Sequence, residues 1–411
     1  MKVISLLKWF HIVEDVQMIF HTAKRMQSFQ ENIFTELAKL KNEKISQGAN
    51  IIDLSIGSPD LPPPPFVLDT LSDAANNPNM YGYSLKGTED FHHAVKNYYK
   101  RKYDVVLDEA KEVLLLMGSQ DGLVHLPMVL CDPGDYILVP DPGYTAYSTG
   151  VEMAGATLFP MPLKKENSFL PDFKAIPEKV YEKARLMILN FPGNPVPALA
   201  TEEFFREAIR FARQHNIVIL HDFAYSELYY DEKPVSFLSI EGAREVGIEM
   251  NSLSKSFNMA GCRVAYAVGN RMILQQLANL KSNLDYGVFF PIQAAATKAL
   301  MDESDFLERN RSIYKKRRDI LINGFQQLGW RVSKPRASMF IWAEVPNGYT
   351  SKEFTFSLLE KANVVVTPGN AFGEWGEGFV RIALVQPEMM LEKALHQIET
   401  SGLFHSLERR R

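Results

Sequence analysis

Lys255 stands among small hydroxyl residues, in the order Ser252-Leu253-Ser254-Lys255, and Arg263 follows eight residues later. Most lysines lie in solvent on a protein surface, and that is the default interpretation of this one. A lysine that reacts with an aldehyde needs a lowered pKa and a confined site. Hydroxyl groups and a guanidinium nearby would bind a phosphate on the same aldehyde. The segment therefore predicts a covalent site for a small phosphorylated aldehyde.

An aspartate and a tyrosine follow another apolar run. Asp222 comes two residues after the run 217–220, and Tyr225 comes three residues later. An aspartate at the end of a buried strand either caps the next helix or uses its charge on a ligand. Pyridoxal 5'-phosphate (PLP), a phosphorylated aldehyde, needs a carboxylate that keeps its ring nitrogen protonated. We expect Asp222 to supply it and Tyr225 to donate to the phenolic oxygen of the ring, whereas helix capping would leave Tyr225 and Lys255 unconnected.

Two other turns after apolar runs would complete this site. One run ends in the letters NFPGNP, by default a proline-rich turn, in which Asn194 would hold the same phenolic oxygen. The run 113–117 leads through Gly118 into Ser119 and Gln120, and a strand, a small-residue turn and a helix together form an anion site. This turn lacks the glycines of dinucleotide sites and the lysine of nucleotide loops, so a phosphate without a nucleotide is expected.

The apolar runs themselves are four or five residues long and apolar throughout, which is typical of strands buried on both faces of a mainly parallel sheet. They cover residues 113–117, 136–139, 186–189, 217–220 and 264–268. Helical patterns alternate with them over residues 66–295, which predicts a large α/β domain in which helices flank the sheet. Ligands of such sheets bind beyond the carboxyl ends of the strands. Tyr144, after the second run, would stack on a flat ring, although a tyrosine of the core or of a turn is equally common.

A second, smaller α+β domain is expected from residues 296–411 together with residues 23–65. Its elements would be a charged helix at 303–327, strands at 339–345, 363–367 and 378–384, and, near the N-terminus, a helix at 31–44 and a strand at 51–54. The four prolines at 62–65 fit neither a helix interior nor a central strand, so they predict a linker between the domains. Residues 1–22 are expected to be an N-terminal extension, because their apolar run is too short for a signal-peptide core.

The composition argues against several other classes of protein. The chain has 411 residues, 46% of them hydrophobic and 23% charged, and its net charge of -4 favours neither nucleic-acid nor membrane binding. No apolar stretch is long enough to span a bilayer, and no Cys/His cluster has the spacing of a metal site. The two cysteines, Cys131 and Cys262, argue against a disulfide framework and predict a cytoplasmic protein.

The motifs together resemble the fold-type I PLP-dependent aminotransferases of the class I/II group, over residues 34–385. The resemblance rests on NFPGNP, HDFAYSEL, SLSKSFNMAGCRVAYAVGN and GEGFVRIAL, which stand in the family's order and spacing. Within the family, KSNLDYGVF and VVVTPGNAFGEWGEGFVRIAL make the chain similar to LL-diaminopimelate aminotransferases and their bacterial relatives, including alanine-type and N-acetyl-diaminopimelate enzymes. The resemblance implies a large PLP-binding domain with a mainly parallel sheet and a smaller α+β domain.

The resemblance also implies which residues bind the cofactor. They are Ser119, Gln120, Tyr144, Asn194, Asp222, Tyr225, Ser252, Ser254, Lys255 and Arg263. Lys255 would form the Schiff base with PLP and move the substrate's proton, and Asp222 and Tyr225 would be the other catalytic residues.

The substrate site and the partner subunit follow from the same resemblance. Arg381 is implied to bind the substrate α-carboxylate bidentately, beside Asn194 and the backbone of Gly57. A tyrosine, Tyr81 or Tyr83, would reach the phosphate of the partner subunit. A tyrosine that reaches into the partner's site implies a homodimer with shared active sites.

Two departures from the family's pattern concern the substrate more than the reaction. Val196 and Pro197 follow Asn-Pro where relatives usually continue with Thr-Gly, and this change would affect how the loop closes. Cys262 stands where close relatives often carry tryptophan near the cofactor. The sequence therefore leaves diaminopimelate, alanine, aspartate, methionine-type and aromatic donors open.

The implied reaction moves an amino group from an L-amino acid to a 2-oxo acid such as 2-oxoglutarate. A PLP-dependent β-eliminating C–S lyase is an alternative on the same scaffold, because the leaving group of the substrate decides the outcome. A PLP-binding regulatory protein is a third alternative. It would normally carry a basic DNA-binding domain, for which the N-terminal extension is too short.

Overall fold

A computed structural model describes residues 21–29 and 33–404. Most of the expected N-terminal extension therefore lies outside the described residues, as do the first two residues of the helix expected at 31–44. In the part that is described, no helix is long and apolar enough to cross a membrane.

The described elements are fourteen α-helices, twelve strands and several short 3₁₀ turns. The helices are α1 (Ile33–Ser46), α2 (Pro65–Ala75), α3 (Glu89–Tyr103), α4 (Ser119–Leu130), α5 (Thr145–Ala154), α6 (Glu178–Tyr181), α7 (Glu202–His215), α8 (Ala243–Val246), α9 (Leu253–Ser256), α10 (Arg271–Leu284), α11 (Phe290–Leu300), α12 (Phe306–Gln327), α13 (Ser351–Ala362) and α14 (Glu388–Thr400). The strands are β1 (Ile52–Asp53), β2 (Val113–Leu116), β3 (Tyr136–Asp141), β4 (Thr157–Pro162), β5 (Ala184–Asn190), β6 (Val218–Asp222), β7 (Gly247–Ser252), β8 (Ala265–Gly269), β9 (Phe340–Glu344), β10 (Val364–Val365), β11 (Thr367–Pro368) and β12 (Phe379–Ala383).

The large sheet has seven strands in the order β2-β8-β7-β6-β5-β3-β4. Neighbours from β4 through β7 pair in parallel, whereas β8 runs antiparallel to β7 and to β2. This mainly parallel α/β sheet confirms the predicted fold class, and the five apolar runs are β2, β3, β5, β6 and β8. We call this sheet and helices α2 to α11 the large-sheet region.

Strands β4 and β7 are absent from the sequence prediction. β4 is an edge strand whose first two residues are exposed, so its pattern is weak. β7 is fully buried but contains Glu249, which looks like a break in an apolar run. The Glu249 carboxylate accepts hydrogen bonds from Tyr99, Ser236 and the Phe237 backbone, and it pairs with His221 at 2.9 Å. These contacts offset the free-energy cost of burying the charge.

The remaining strands form two small sheets, which with α1 and α12 to α14 we call the small-sheet region. β1 pairs in parallel with β10, and β12 lies between β11 and β9 in an antiparallel sheet. The single strand expected at 363–367 is thus two short strands in different sheets. The long charged helix begins at Phe306, three residues later than expected.

Two connections join the regions. Pro65 is the first residue of α2, where a missing backbone N–H costs nothing, so the expected proline linker ends on a helix start. On the C-terminal side, α11 runs through the expected boundary at 295/296, and its Ala295 and Leu300 belong to the large core. Helix α11 therefore packs with the large-sheet region, and Leu307, at the start of α12, still belongs to the same core.

Candidate active site

The carboxyl ends of the strands open on a cavity of about 680 Å³. The expected site residues that line it are Gly57, Ser119, Gln120, Tyr144, Asn194, Asp222, Tyr225, Ser252, Ser254, Lys255, Arg263 and Arg381. Tyr81 and Tyr83 do not line it; their side chains are 62% and 82% exposed on the surface of the chain. The structure thus brings together every candidate that was expected to act within one subunit.

Lys255 lies in the short helix α9, directly after β7, and its side chain is half-buried. Its Nζ donates a hydrogen bond to the Gly57 carbonyl at 2.7 Å. Burial and the positive charges of Arg381 and Arg263 lower the pKa of Lys255 from 10.5 to about 8, and Asp222 opposes this shift. A substantial fraction of this amine is consequently neutral near pH 8, as a nucleophile must be.

Asp222 ends β6 and is buried at the bottom of the cavity. Its Oδ2 accepts a hydrogen bond from the Tyr147 hydroxyl at 2.8 Å, and its Oδ1 accepts one from the Ala224 backbone N–H at 3.2 Å. Burial raises the pKa of this carboxyl, and the Tyr147 hydrogen bond counteracts the shift. A buried carboxylate in this state would gain from a cationic partner in the cavity.

The turn before α4 and the Arg263 side chain form one wall of the cavity. Gly118 has φ +80°, and a Cβ on it would lie 2.4 Å from Arg263 Nη2, so only glycine allows this approach. Ser119 is the first residue of α4, where backbone N–H groups point out of the helix. Ser252 faces the same cavity. A guanidinium, a serine hydroxyl and a helix N-terminus in one place suit a phosphate.

Arg381 lies on β12 and is buried. Its Nη1 donates to Asn194 Oδ1 at 2.7 Å and its Nη2 to the Ser55 carbonyl at 2.6 Å, whereas its Nε has no hydrogen-bond partner. The guanidinium lies 4.4 Å from the ring centre of Phe340 and 4.7 Å from that of Phe372.

Burial lowers the pKa of Arg381 to about 10. Within the described ranges, no carboxylate forms an ion pair with it. A cation held only by neutral acceptors and aromatic rings lacks a counter-ion, and a ligand carboxylate would supply one. A Cβ on Gly57 would lie 3.7 Å from Arg381 Nη1, so this backbone borders the space that such a carboxylate would enter.

Several residues of the cavity escaped the sequence prediction. They are Ser55, Ile56, Ser58, Thr145, Asn190, Ala224, Ala260 and Phe372, with Tyr147 behind Asp222. Asn190 is the one with a clear signal, because it ends β5 just as Asp222 ends β6, and the two are paired in register. Tyr147 lies on α5 and gives no signal of its own, since a buried helix tyrosine is ordinary core.

These features fit PLP. The wall that contains Gly118 and Arg263 suits the phosphate of PLP, and Asp222 suits its ring nitrogen. The Lys255 amine suits the aldehyde, and Tyr144 suits the flat ring. Arg381 is then free to bind the carboxylate of a substrate. A mainly parallel sheet with this site at its carboxyl edge defines a PLP-dependent enzyme that acts on amino acids.

Comparison with known proteins supports this class of enzyme. The sequence profile of the family "Aminotransferase class I and II" matches residues 49–398, and the chain belongs to this family. The chain is 43% identical to the LL-diaminopimelate aminotransferase of Halothermothrix orenii over 93% of its own length and 98% of that protein. It is also 43% identical to the corresponding enzyme of Moorella thermoacetica, over 92% and 97% of the two chains.

Solved structures give the same result. Substrate-bound BacF from Bacillus subtilis is 41% identical, with a TM-score of 0.90 and coverage of 94% of this chain and 99% of that one. A probable N-succinyldiaminopimelate aminotransferase from Thermus thermophilus is 36% identical, with a TM-score of 0.86 and coverage of 90% and 100%. The predictions of a PLP-dependent aminotransferase and of the class I/II fold are confirmed.

Proposed function

We propose that the amino donor of this aminotransferase is LL-diaminopimelate, that its acceptor is a 2-oxo acid such as 2-oxoglutarate, and that Lys255 is the amine that binds PLP. The donor rests on the relatives named for it, which match the chain over nearly its whole length. The observation that carries the site is that Lys255, Asp222 and Arg381 face one cavity. An amine, a carboxylate and a guanidinium are what an amino-acid–PLP pair requires.

When bound, PLP withdraws electrons from the substrate α-carbon and carries the amino group from donor to acceptor. The Asp222 carboxylate would pair with the ring nitrogen and keep it protonated. Tyr225 and Asn194 would hold the phenolic oxygen, and Tyr144 would lie against the ring. Ser119, Gln120, Ser252, Ser254 and Arg263 form the phosphate end of the site.

Lys255 is proposed as the general base. Once its Nζ is free, it would accept the proton that the substrate α-carbon loses. A pKa of about 8 makes the neutral amine available without a large penalty at neutral pH. Arg381 meanwhile binds the α-carboxylate, with Asn194 and the Gly57 backbone beside it, and so presents the α-carbon to Lys255.

The aromatic surface near Tyr83 supports a homodimer with shared active sites. Tyr81 contacts Phe289 and Tyr83 contacts Tyr286, with ring centres 5.2 and 4.9 Å apart, and all four side chains are exposed. An exposed cluster of this kind is typical of a protein interface. We propose that one of the two tyrosines, Tyr81 or Tyr83, completes the phosphate end of the partner's site.

Mixing two inactive variants tests the shared site. A Lys255→Ala subunit paired with a Tyr81→Ala/Tyr83→Ala subunit would regain one intact site if the tyrosines act across the interface. Activity restored on mixing supports the proposal. Two homodimeric, inactive variants that exchange subunits without restoring activity contradict it.

The domain limits and the location are proposals as well. We propose a large PLP-binding domain at 66–295 and a small domain at 23–65 and 296–411, and the packing of α11 and Leu307 on the large core favours moving the second limit towards the C-terminus, into the first turns of α12. Both cysteines are free thiols, which supports a cytoplasmic protein. Limited proteolysis of the holoenzyme, with cleavage mapped by mass spectrometry, tests whether the limits fall in exposed chain.

A donor screen tests the function. The purified holoenzyme is mixed with single amino acids or with LL-diaminopimelate and no acceptor, and conversion of the bound cofactor to its amine form is followed by absorbance. We expect the fastest conversion with LL-diaminopimelate. Faster conversion with another donor contradicts the proposed substrate, and release of pyruvate and ammonia instead would indicate β-elimination.

Borohydride reduction tests Lys255 directly. In the wild type it should fix the cofactor on the peptide that contains Lys255, as mass spectrometry would show. Lys255→Ala should lose this adduct and at least about 10⁴-fold of activity, because a nucleophile and a base are both removed. An adduct that persists on another lysine contradicts the assignment.

A further inference from the structure

Two chain segments border the place proposed for the substrate carboxylate. One is the loop 54–64, between β1 and α2, which contains Gly57. The other is β12, which contains Arg381, together with Leu384, the residue that follows it. Three residues beyond Gly57 and Arg381, at Asp60 and Leu384, both segments contact the same side chain.

That side chain is Arg317 of α12, which is buried. Its Nη1 and Nη2 donate to the two oxygens of Asp60 at 2.7 and 2.8 Å, a bidentate ion pair. Its Nη1 also donates to the Leu384 carbonyl at 3.0 Å. One planar guanidinium thus connects the two segments that border the site proposed for the substrate carboxylate. Arg317 itself does not line the cavity.

Other contacts hold the loop at its two ends and near Gly57. Leu54 donates its backbone N–H to Val365 and accepts one from Ala383, and the Pro62 carbonyl accepts a hydrogen bond from Asn258 at 3.2 Å. Near Gly57, Lys255 donates to the Gly57 carbonyl at 2.7 Å and Arg381 donates to the Ser55 carbonyl at 2.6 Å. The Asp60 pair with Arg317 uses neither of these two cations, so a cofactor or substrate that binds Lys255 or Arg381 does not compete for it.

We propose that Arg317 is a positioning residue that sets the spacing between Gly57 and Arg381, and thereby the affinity for the substrate α-carboxylate. The inference rests on the proposed role of Arg381. Arginine suits this position because its fork holds both Asp60 oxygens and the Leu384 carbonyl at fixed angles. A lysine at 317 would keep the charge but make one flexible contact in place of three.

The experiment uses Arg317→Lys and two donors that differ only in the α-carboxylate, L-alanine and ethylamine. Single-turnover conversion of the bound cofactor gives kcat/KM for each. We expect about a tenfold loss with L-alanine, mostly in KM, and less than about a twofold change with ethylamine, because a small displacement affects only the ligand group it positions. KM for the 2-oxo acid should rise in parallel, since its carboxylate uses the same place.

The control is Arg311→Lys, on the same helix. Arg311 also forms an ion pair with a residue distant in the sequence, Glu227, at 3.0 Å, and this pair lies outside both flanking segments. We expect less than about a twofold change with either donor, because the substitution does not displace the two segments that border the carboxylate. Equal losses with L-alanine and ethylamine in Arg317→Lys, or a loss no larger than in Arg311→Lys, would overturn the proposal.

If Arg317→Lys does not fold, two milder variants at Asp60 test the same proposal. Asp60 is partly exposed, so Asp60→Asn should fold while weakening the ion pair. It should shift KM for L-alanine in the same direction, and Asp60→Glu should recover part of the loss. No recovery and no preference for the carboxylate-bearing donor would also overturn it. Wild-type enzyme that treats L-alanine and ethylamine alike would instead contradict the role of Arg381.

Discussion

The two ends of the cavity are built in different ways. The cofactor end stands on adjacent strands of one sheet, where Asn190 of β5 and Asp222 of β6 are paired in register and β7 runs into Lys255. The carboxylate end is assembled from distant segments, with Gly57 and Arg381 more than 300 residues apart in the chain. The first end is positioned by backbone pairing, and the second by side-chain charges and hydrogen bonds.

Their electrostatics differ as well. The cofactor end holds a buried carboxylate whose pKa is raised, and the carboxylate end holds a buried guanidinium whose pKa is lowered. Within the described residues neither group forms an ion pair, so each would gain from an opposite charge on a ligand. Substitutions at the first end should therefore impair the chemistry, and substitutions at the second should impair the binding of substrates that carry a carboxylate.

Asp222→Asn should lower the activity most. Without the negative charge the ring nitrogen would lose its proton, and we expect kcat to fall by about 10³-fold with every donor, ethylamine included. Tyr147→Phe removes the hydrogen bond to Asp222 but keeps the charge, so it should cost only about tenfold. Steady-state and single-turnover kinetics measure both. Equal losses in the two variants would mean that the charge is not what matters.

Arg381→Gln should have the second-largest effect, and this effect should be confined to donors that carry a carboxylate. We expect kcat/KM for amino acids to fall by about 10²-fold, because a charge-assisted bidentate contact is lost, while the rate with ethylamine stays nearly the same. Cofactor absorbance and the borohydride-trapped adduct serve as controls for the other end. Loss of cofactor binding in this variant would show that the two ends are not separable.

A pH experiment tests how the ends are coupled through Lys255. The rate at which PLP reconstitutes the cofactor-free enzyme needs the neutral amine, so it should rise with pH with a midpoint near pH 8, not near 10.5. Arg381→Gln removes a positive neighbour and should move this midpoint up. Asp222→Asn removes a negative neighbour and should move it down. A midpoint near 10.5 in the wild type would contradict the electrostatic account.

The smallest effect is expected where the two regions meet. Val196 is buried with Leu163 against Trp342 and Phe372, so the departure from the family's loop adds an apolar contact between the regions. Val196→Ala should cost about 2 kcal/mol of stability and lower Tm by a few degrees. It should change kcat/KM by less than about twofold. Val106→Ala, at an exposed valine, is the thermal-denaturation control.

The sequence predicted the large-sheet region better than the small one. Five of its seven strands are apolar runs, and polar residues after four of them, β2, β3, β5 and β6, line the cavity. The fifth, β8, runs antiparallel, so Arg263 reaches the cavity from just before that strand. The missed strand β7 shows the limit, because the charge of Glu249 is tolerated only through partners such as Tyr99, 150 positions away in the chain. In the small-sheet region the strands β10 and β11 have two residues each, too few for a pattern to indicate them.

The sequence by itself determined the cofactor class, since the lysine, the aspartate and the small-residue turn can be recognised from their neighbours in the chain without knowledge of the fold. Only the tertiary structure decided how the substrate end is held. In the sequence Arg317 is one more charged residue on a helix, and its contacts join it to Asp60 and Leu384, which are 257 and 67 positions away in the chain. Contacts of that kind depend on the packing of the whole molecule, and no local pattern encodes them.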